Sequence, residues 1–296
     1  MKSGFVSVVG KPNVGKSTLI NTLVGEKVSI VSWKPQTTRD KILGIVNGDG
    51  YQVVLADCPG VHTPKNALSE YMMKSVGSAV DGVDAYIYVL ACSKKIDDVD
   101  MQYINKFAGS GIPLFIVINK CDEVKPEAIG QKIDSLKDLQ GVKAIIPVSA
   151  LTGKNCDLLM KELVEVLPEG VAYYDTDSYT DKTVRFMVGE IVREKALRLL
   201  GDEIPYGICV AVNRYEVRDD GLVSIDADIV CEKQAHKSIV IGKGGAMIKK
   251  ISTMARQDIE KLVDAKVYLN LFVKVKENWR DSASLVGLMG YNIKDI

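Results

Sequence analysis

Apolar residues fall into two different rhythms along this chain. Up to about residue 165 they come in short unbroken runs: Phe5–Val9, Val53–Ala56, Ala85–Ala91, Leu114–Ile118 and Ala144–Val148. Runs of that length, rich in β-branched residues, suit strands buried on both faces of a parallel sheet. Between them the pattern turns helical, as in Lys16–Val24 and Asn155–Leu167. Strand–helix alternation predicts a doubly wound α/β domain over residues 1–168. The stretch 169–182 is polar and rich in tyrosine, follows Pro168 and contains Gly170, which predicts a linker.

From 183 to 296 the rhythm changes. Val184–Leu200 reads as a helix with Val184, Val188, Ile191 and Leu199 near one face. Ile208–Val217 is strand-like. Gly221–Cys231 alternates, with Val223, Ile225, Ala227, Ile229 and Cys231 on one side. Residues 246–263 return to helical spacing through Ile248, Ile251, Ala255, Ile259 and Leu262. Lys266–Lys276 alternates again, with Val267, Leu269, Leu271, Val273 and Val275 inward. Helix, two strands, one or two helices and a strand make a small α+β domain.

Composition narrows the class. Hydrophobic residues are 47% and charged residues 26%, ordinary for a globular protein. No apolar run reaches the roughly 18 residues of a membrane span. The start, MKSGFVSVVG, lacks the zones of a signal peptide, so a cytoplasmic protein is expected. The six cysteines are widely spaced, which predicts free thiols rather than a zinc site or a disulfide framework. Net charge is zero, yet residues 231–280 hold eleven Lys or Arg against five acids. That segment carries +6 and the rest of the chain −6, which points to a polyanionic partner.

The first strand runs into Gly10-Lys11-Pro12-Asn13-Val14-Gly15-Lys16-Ser17-Thr18, and a helix follows. This is the phosphate-binding loop in its required strand–loop–helix setting. Its backbone N–H groups converge on phosphate oxygens, and the helix N-terminus adds partial positive charge. Lys16 is expected to neutralise the β- and γ-phosphates, and Ser17 to ligate Mg²⁺. A second strand ends in Asp57-Cys58-Pro59-Gly60. Asp57 at a strand end can hold Mg²⁺ through water, and the Gly60 N–H can sense the γ-phosphate.

A third strand ends in Asn119-Lys120-Cys121-Asp122. The Asp122 carboxylate can accept both N1–H and the 2-amino group of guanine. Adenine lacks both donors and would leave that carboxylate unpaired. The next strand ends in Ser149-Ala150-Leu151, where a contact to guanine O6 is expected.

These four pieces, in this order, resemble the translation-factor class of GTPases. The resemblance implies that Asn119 and Asp122 read guanine, Lys120 packs along the base and the Ser149–Ala150 backbone contacts O6. It implies a switch threonine in Trp33–Asp40, with Thr38 favoured over the adjacent Thr37. Val61 follows Gly60 where Ras-type enzymes carry a water-orienting glutamine. Water must therefore be positioned otherwise, and the intrinsic rate is expected to be slow. Asn13 is a candidate, because an asparagine at this place ligates K⁺ in some related GTPases. Lys16, Thr38, Gly60 and Asn13 are the expected catalytic groups.

In the second domain, Gly242-Lys243-Gly244-Gly245 precedes the helix Ala246–Val263. A G-x-x-G turn between two helices lets a nucleic-acid backbone approach closely. Lys243, Lys249 and Lys250 supply phosphate attraction, and Ile239 and Ile241 could line a groove for bases. The element order resembles a type II KH domain. A GTPase domain followed by a KH domain resembles the Era family of bacterial ribosome-assembly GTPases, within the TrmE-Era-EngA-like class. PQTTRD, SIVIGKGGAMIKKI and the Glu277–Asp281 stretch are similar to that family's wording. Membership implies an α/β P-loop domain with a mostly parallel sheet, hydrolysis of GTP to GDP, and a monomer. It also implies binding near the 3′ end of 16S ribosomal RNA and to the 30S subunit, with peripheral association at the inner membrane face.

Two other readings fit parts of the sequence. One is an RNA-binding module with a regulatory GTP site and negligible turnover, which Val61 favours. The other is a membrane or signalling GTPase whose last domain binds protein.

Overall fold

The computed structural model describes residues 1–293 of the chain; positions 294–296, the end of the second predicted domain, lie outside the described residues. Two compact units form. The first holds Met1–Thr63 and Met72–Asp181; the second holds Pro64–Tyr71 and the chain from Lys182 on.

The first unit carries strands β1 (Lys2–Val9), β2 (Ile42–Gly48), β3 (Tyr51–Asp57), β4 (Ala85–Ala91), β5 (Leu114–Asn119) and β6 (Val142–Pro147). Their spatial order is β2-β3-β1-β4-β5-β6, all parallel except β2. Its helices are α1 (Lys16–Val24), α2 (Ala67–Val80, of which the part from Met72 belongs to this unit), α3 (Asp98–Ala108), α4 (Pro126–Asp134) and α5 (Cys156–Val166).

The unbroken apolar runs now have a cause. Successive side chains of a strand point to opposite faces. Ile87 and Val89 of β4 join a core with Leu19 of α1 and Leu159 and Leu163 of α5. Tyr86, Tyr88 and Leu90 join a second core with Val76 of α2 and Ile104 and Phe107 of α3. Helices on both faces leave no polar side to the central strands.

Strand β2 has no counterpart among the apolar runs of the sequence. This strand is short, lies at the sheet edge and pairs antiparallel with β3. The stretch read as a linker covers its open edge. The Ile45 N–H donates to the Tyr179 carbonyl at 2.9 Å. Buried Gln52 of β3 accepts from the backbone N–H groups of Tyr173 and Tyr174 at 2.7 and 3.0 Å. Asn47 donates to the Thr176 carbonyl at 3.0 Å. Covering an edge in this way removes a template for unwanted pairing.

The second unit contains α6 (Val184–Leu199), β7 (Cys209–Val217), β8 (Val223–Cys231), α7 (Gln234–Ile241), α8 (Ala246–Val263), β9 (Val267–Val275) and α9 (Ala283–Leu288). The sheet order is β7-β8-β9, with β7 antiparallel and β9 parallel to β8. Ile225 and Ile229 of β8 meet Val188 and Val192 of α6 and Ile251, Ala255 and Ile259 of α8 in one core.

Helix α6 departs from the predicted single apolar face. Val184 is exposed, while Met187–Leu197 are buried except for the half-buried Glu190. The burial includes Arg193, Glu194 and Lys195. It is tolerated because the charges are paired: Arg193 donates to Glu190 at 2.7 Å, and Lys195 bridges Glu194 and Asp258. Leu262 is likewise exposed at the end of α8. Trp279 is fully buried and donates to the Gly207 carbonyl at 2.9 Å. Arg280 forks onto Glu232 at 2.9 and 2.6 Å, so the Glu277–Asp281 stretch anchors the domain's end.

Candidate functional site

The phosphate loop joins β1 to α1. It lines a cleft of about 370 Å³ with Pro12, Asn13, Gly15, Lys16, Ser17 and Thr18. Gly60 closes one wall. A Cβ on Gly60 would lie 2.8 Å from the backbone nitrogen of Pro12, so a larger residue cannot bring this backbone so near the loop.

Lys16 is buried, and its ammonium donates to the carbonyls of Gly10 and Lys11, both at 3.0 Å. Burial pushes its pKa below the ordinary lysine value, with nearby Asp57 opposing the shift. Burial pushes the Asp57 carboxyl up, against the neighbouring Ser17 hydroxyl and Lys16 ammonium. Both Asp57 oxygens are buried with no donor at full hydrogen-bond geometry. The Ser17 and Thr38 hydroxyls stand 2.9 Å apart at the same place. Two hydroxyl oxygens and an unpartnered carboxylate are a hard-oxygen donor set, which fits Mg²⁺. The neighbouring Thr37 instead donates to the Lys34 carbonyl at 2.6 Å.

At the base end, Asn119 is a tie rather than a free reader. It donates to the Val14 carbonyl at 2.9 Å, and its oxygen accepts from the Ala150 N–H at 3.0 Å. One amide thus joins the phosphate loop to the Ser149–Leu151 loop. Asp122 is exposed, and one of its oxygens accepts from the Ser149 hydroxyl at 2.6 Å. Lys120 takes a left-handed backbone, φ 65°, and lines the cleft. Leu151 is exposed beside them.

Several predicted residues serve from behind. Val14, Cys58 and Val61 are buried in the core; burial pushes the Cys58 thiol up to about 12. Pro59 is buried too. Lys11 turns away to α3. The Asn13 amide donates to the Trp33 carbonyl at 2.7 Å. Sequence reasoning missed Lys94, which reaches the cleft from the turn after β4, and Gln36. No motif marks Lys94; only the strand order brings its loop there.

In the second unit, α7 ends at Gly242, whose φ of 73° favours glycine. Its ideal Cβ would lie 2.9 Å from the Met247 nitrogen, so the turn needs glycine on both counts. Gly244 and Gly245 also have positive φ, and α8 starts at once. Lys243, Lys249, Lys250 and Ile239 are exposed around this turn, and Ile241 is half-buried. The arrangement offers ammonium groups and an apolar strip to an approaching polyanion.

Comparison with known proteins agrees with this geometry. A family model described as 50S ribosome-binding GTPase matches residues 5–120, and a KH domain model matches 203–280. A GTPase Era of Clostridium kluyveri is 47% identical over 291 residues, covering 98% of this chain and 99% of that protein. One of Clostridium botulinum is 48% identical over 290 residues, covering 98% of each. Among solved structures, Era in complex with MgGDPNP and nucleotides 1506–1542 of 16S ribosomal RNA superposes with a TM-score of 0.94 at 36% identity. It covers 99% of both chains. A point variant of Aquifex aeolicus Era bound to GDP.AlF4⁻ gives 0.92 at 36% identity over 99% of this chain and 100% of that one.

Proposed function

This chain belongs to the Era family of GTPases, and from that premise we propose that its GTP state controls the grip of its KH domain on the 3′-end region of 16S ribosomal RNA during small-subunit assembly. The observation that carries this reading is the presence in one chain of two built sites. One is the cleft where Ser17, Thr38 and Asp57 meet beside Lys16; the other is the glycine turn flanked by Lys243, Lys249 and Lys250.

Ser17, Thr38 and Asp57 would hold Mg²⁺. The bound ion would supply charge neutralisation at the β- and γ-phosphate oxygens. Lys16 leaves the Gly10 and Lys11 carbonyls for the phosphates, and the Gly60 N–H faces the γ-phosphate. Asp122, steadied by Ser149, accepts from the guanine edge. Water then attacks the γ-phosphorus in line, and catalysis comes from positioning and fixed dipoles.

The apolar, buried Val61 supports a slow intrinsic rate, since it offers no group to orient water. Asn13 and Trp33 both line the cleft, where the Asn13 amide nitrogen donates to the Trp33 carbonyl; once that bond is released, the Asn13 side-chain oxygen and the Trp33 carbonyl are the hard-oxygen donors a K⁺ site there would use. Among the described residues no helix is long and apolar enough to cross a membrane, so contact with the inner membrane face would be peripheral.

Crosslinking the GTP-loaded protein to cellular RNA and mapping the contacts tests the reading. Contacts concentrated near the 3′ end of 16S ribosomal RNA support it; their absence there refutes the target.

A further inference from the structure

Lys11 lies inside the phosphate loop, yet its ammonium does not join the cleft. It reaches the N-terminus of α3 and pairs with Asp97 and with Asp100, the latter at 2.9 Å. Asp100 is only 3% exposed and is held from three sides. One oxygen accepts from the Tyr88 hydroxyl of β4 at 2.9 Å. The other accepts from Lys11 and from the Asp97 N–H at 3.2 Å. Asp97 caps α3 and forms a reciprocal capping box with Asp100, so both acids sit on a fixed helix start.

The far end of this chain of contacts is the phosphate lysine. The Lys11 carbonyl accepts from the Lys16 ammonium at 3.0 Å. A buried carboxylate on a rigid helix cap therefore fixes the side chain of Lys11, and the backbone of Lys11 holds Lys16 until a nucleotide draws its ammonium to the phosphates. Partial burial opposes the charge on Lys11, but its bonds to Asp97 and Asp100 outweigh this and raise its pKa. The ammonium is thus held charged where it stands.

We propose that Asp100 is a positioning residue for the phosphate loop, acting through Lys11 to keep the loop in the shape that receives a nucleotide. A loop held in its receiving shape loses less freedom on binding, so the nucleotide leaves more slowly. The inference rests on reading this loop as the GTP site. It adds a control point: displacement of the Asp97–Asp100 helix start would loosen bound GDP without touching the cleft.

The test measures release of fluorescently labelled GDP by stopped flow, with kcat and KM for GTP, on the full chain. The set is wild type, Asp100→Asn, Lys11→Met, the double variant and Lys11→Arg. Asp100→Asn and Lys11→Met should each speed GDP release about tenfold and raise KM, with kcat changed less than about threefold. The double variant should be no worse than the worse single one, because both break one chain of contacts. Lys11→Arg, which keeps charge and donors, should recover most of what Lys11→Met loses. A purely stabilising ion pair would lower the melting temperature and leave GDP release unchanged. Release within about twofold of wild type in both single variants overturns the proposal, as do effects that multiply in the double variant. If Asp100→Asn does not fold, the two Lys11 variants decide the matter by the same criteria. Wild-type protein that bound no labelled GDP would instead overturn the GTP reading itself.

Discussion

The Ser149 hydroxyl donates to the Asp122 carboxylate at 2.6 Å, and the same hydroxyl accepts from the Thr152 N–H at 3.2 Å. A neighbouring loop therefore sets the orientation of the carboxylate proposed to read the base. Ser149→Ala should weaken GDP binding by about 1 kcal/mol, near fivefold, the usual worth of one such bond. Asp122→Asn should cost far more with guanine and shift preference toward xanthine nucleotides, whose 2-oxo group accepts from the new amide. Competition binding with the two diphosphates checks both.

Thr38 and Thr37 should separate cleanly. Thr38 stands beside Ser17, whereas the Thr37 hydroxyl donates to the Lys34 carbonyl. Thr38→Ala should lower single-turnover GTP hydrolysis at least about tenfold, the scale of losing one charge-stabilising contact. It should leave GDP affinity nearly intact. Thr37→Ala should do neither, and a reversed result would move the switch role to Thr37.

Monovalent cations should matter. Turnover in K⁺ should exceed turnover in Na⁺, and Asn13→Ala should erase the difference while Mg²⁺ dependence remains. Equal rates in the two salts would remove the K⁺ site.

The sequence carried the site motifs well and their surroundings poorly. Strands β4 and β5 were legible because both faces are buried, which leaves Ala85–Ala91 and Leu114–Ile118 without a polar position. Strand β2 was not, because Gly44 and Asn47 interrupt a seven-residue edge strand whose partners include the distant Tyr179. The Gly10–Thr18 loop was readable from local spacing alone. Lys94 and the Asp100–Lys11 tie were not, since strand order and not sequence proximity brings them to the loop. Burial of Arg193, Glu194 and Lys195 in α6 was invisible for the same reason: the compensating Asp258 lies on α8.

Cys121 sits within the guanine motif as a half-buried thiol, and burial pushes it up to about 11. At pH 8 only about one molecule in a thousand then carries the reactive thiolate. Alkylation of Cys121 in the folded protein should be far slower than in a denatured control. It should rise about tenfold per pH unit up to about 11, as read by mass spectrometry.

The exposed lysines of the KH turn should act as phosphate contacts. Replacing Lys243, Lys249 and Lys250 together by Ala should weaken RNA binding and lower the slope of log affinity against log salt by about 2, since single-stranded contacts contribute about 0.7 each. GTP binding should be unchanged, because these residues lie in the other unit.

The most direct measurement is the affinity of the full chain for an RNA of the 3′ end of 16S ribosomal RNA, in the GTP-analogue and GDP states, at one fixed salt concentration. The account predicts binding at least about tenfold tighter with the GTP analogue, and the same RNA must then raise the preference for that analogue over GDP by the same factor. Equal affinity in the two nucleotide states would contradict it.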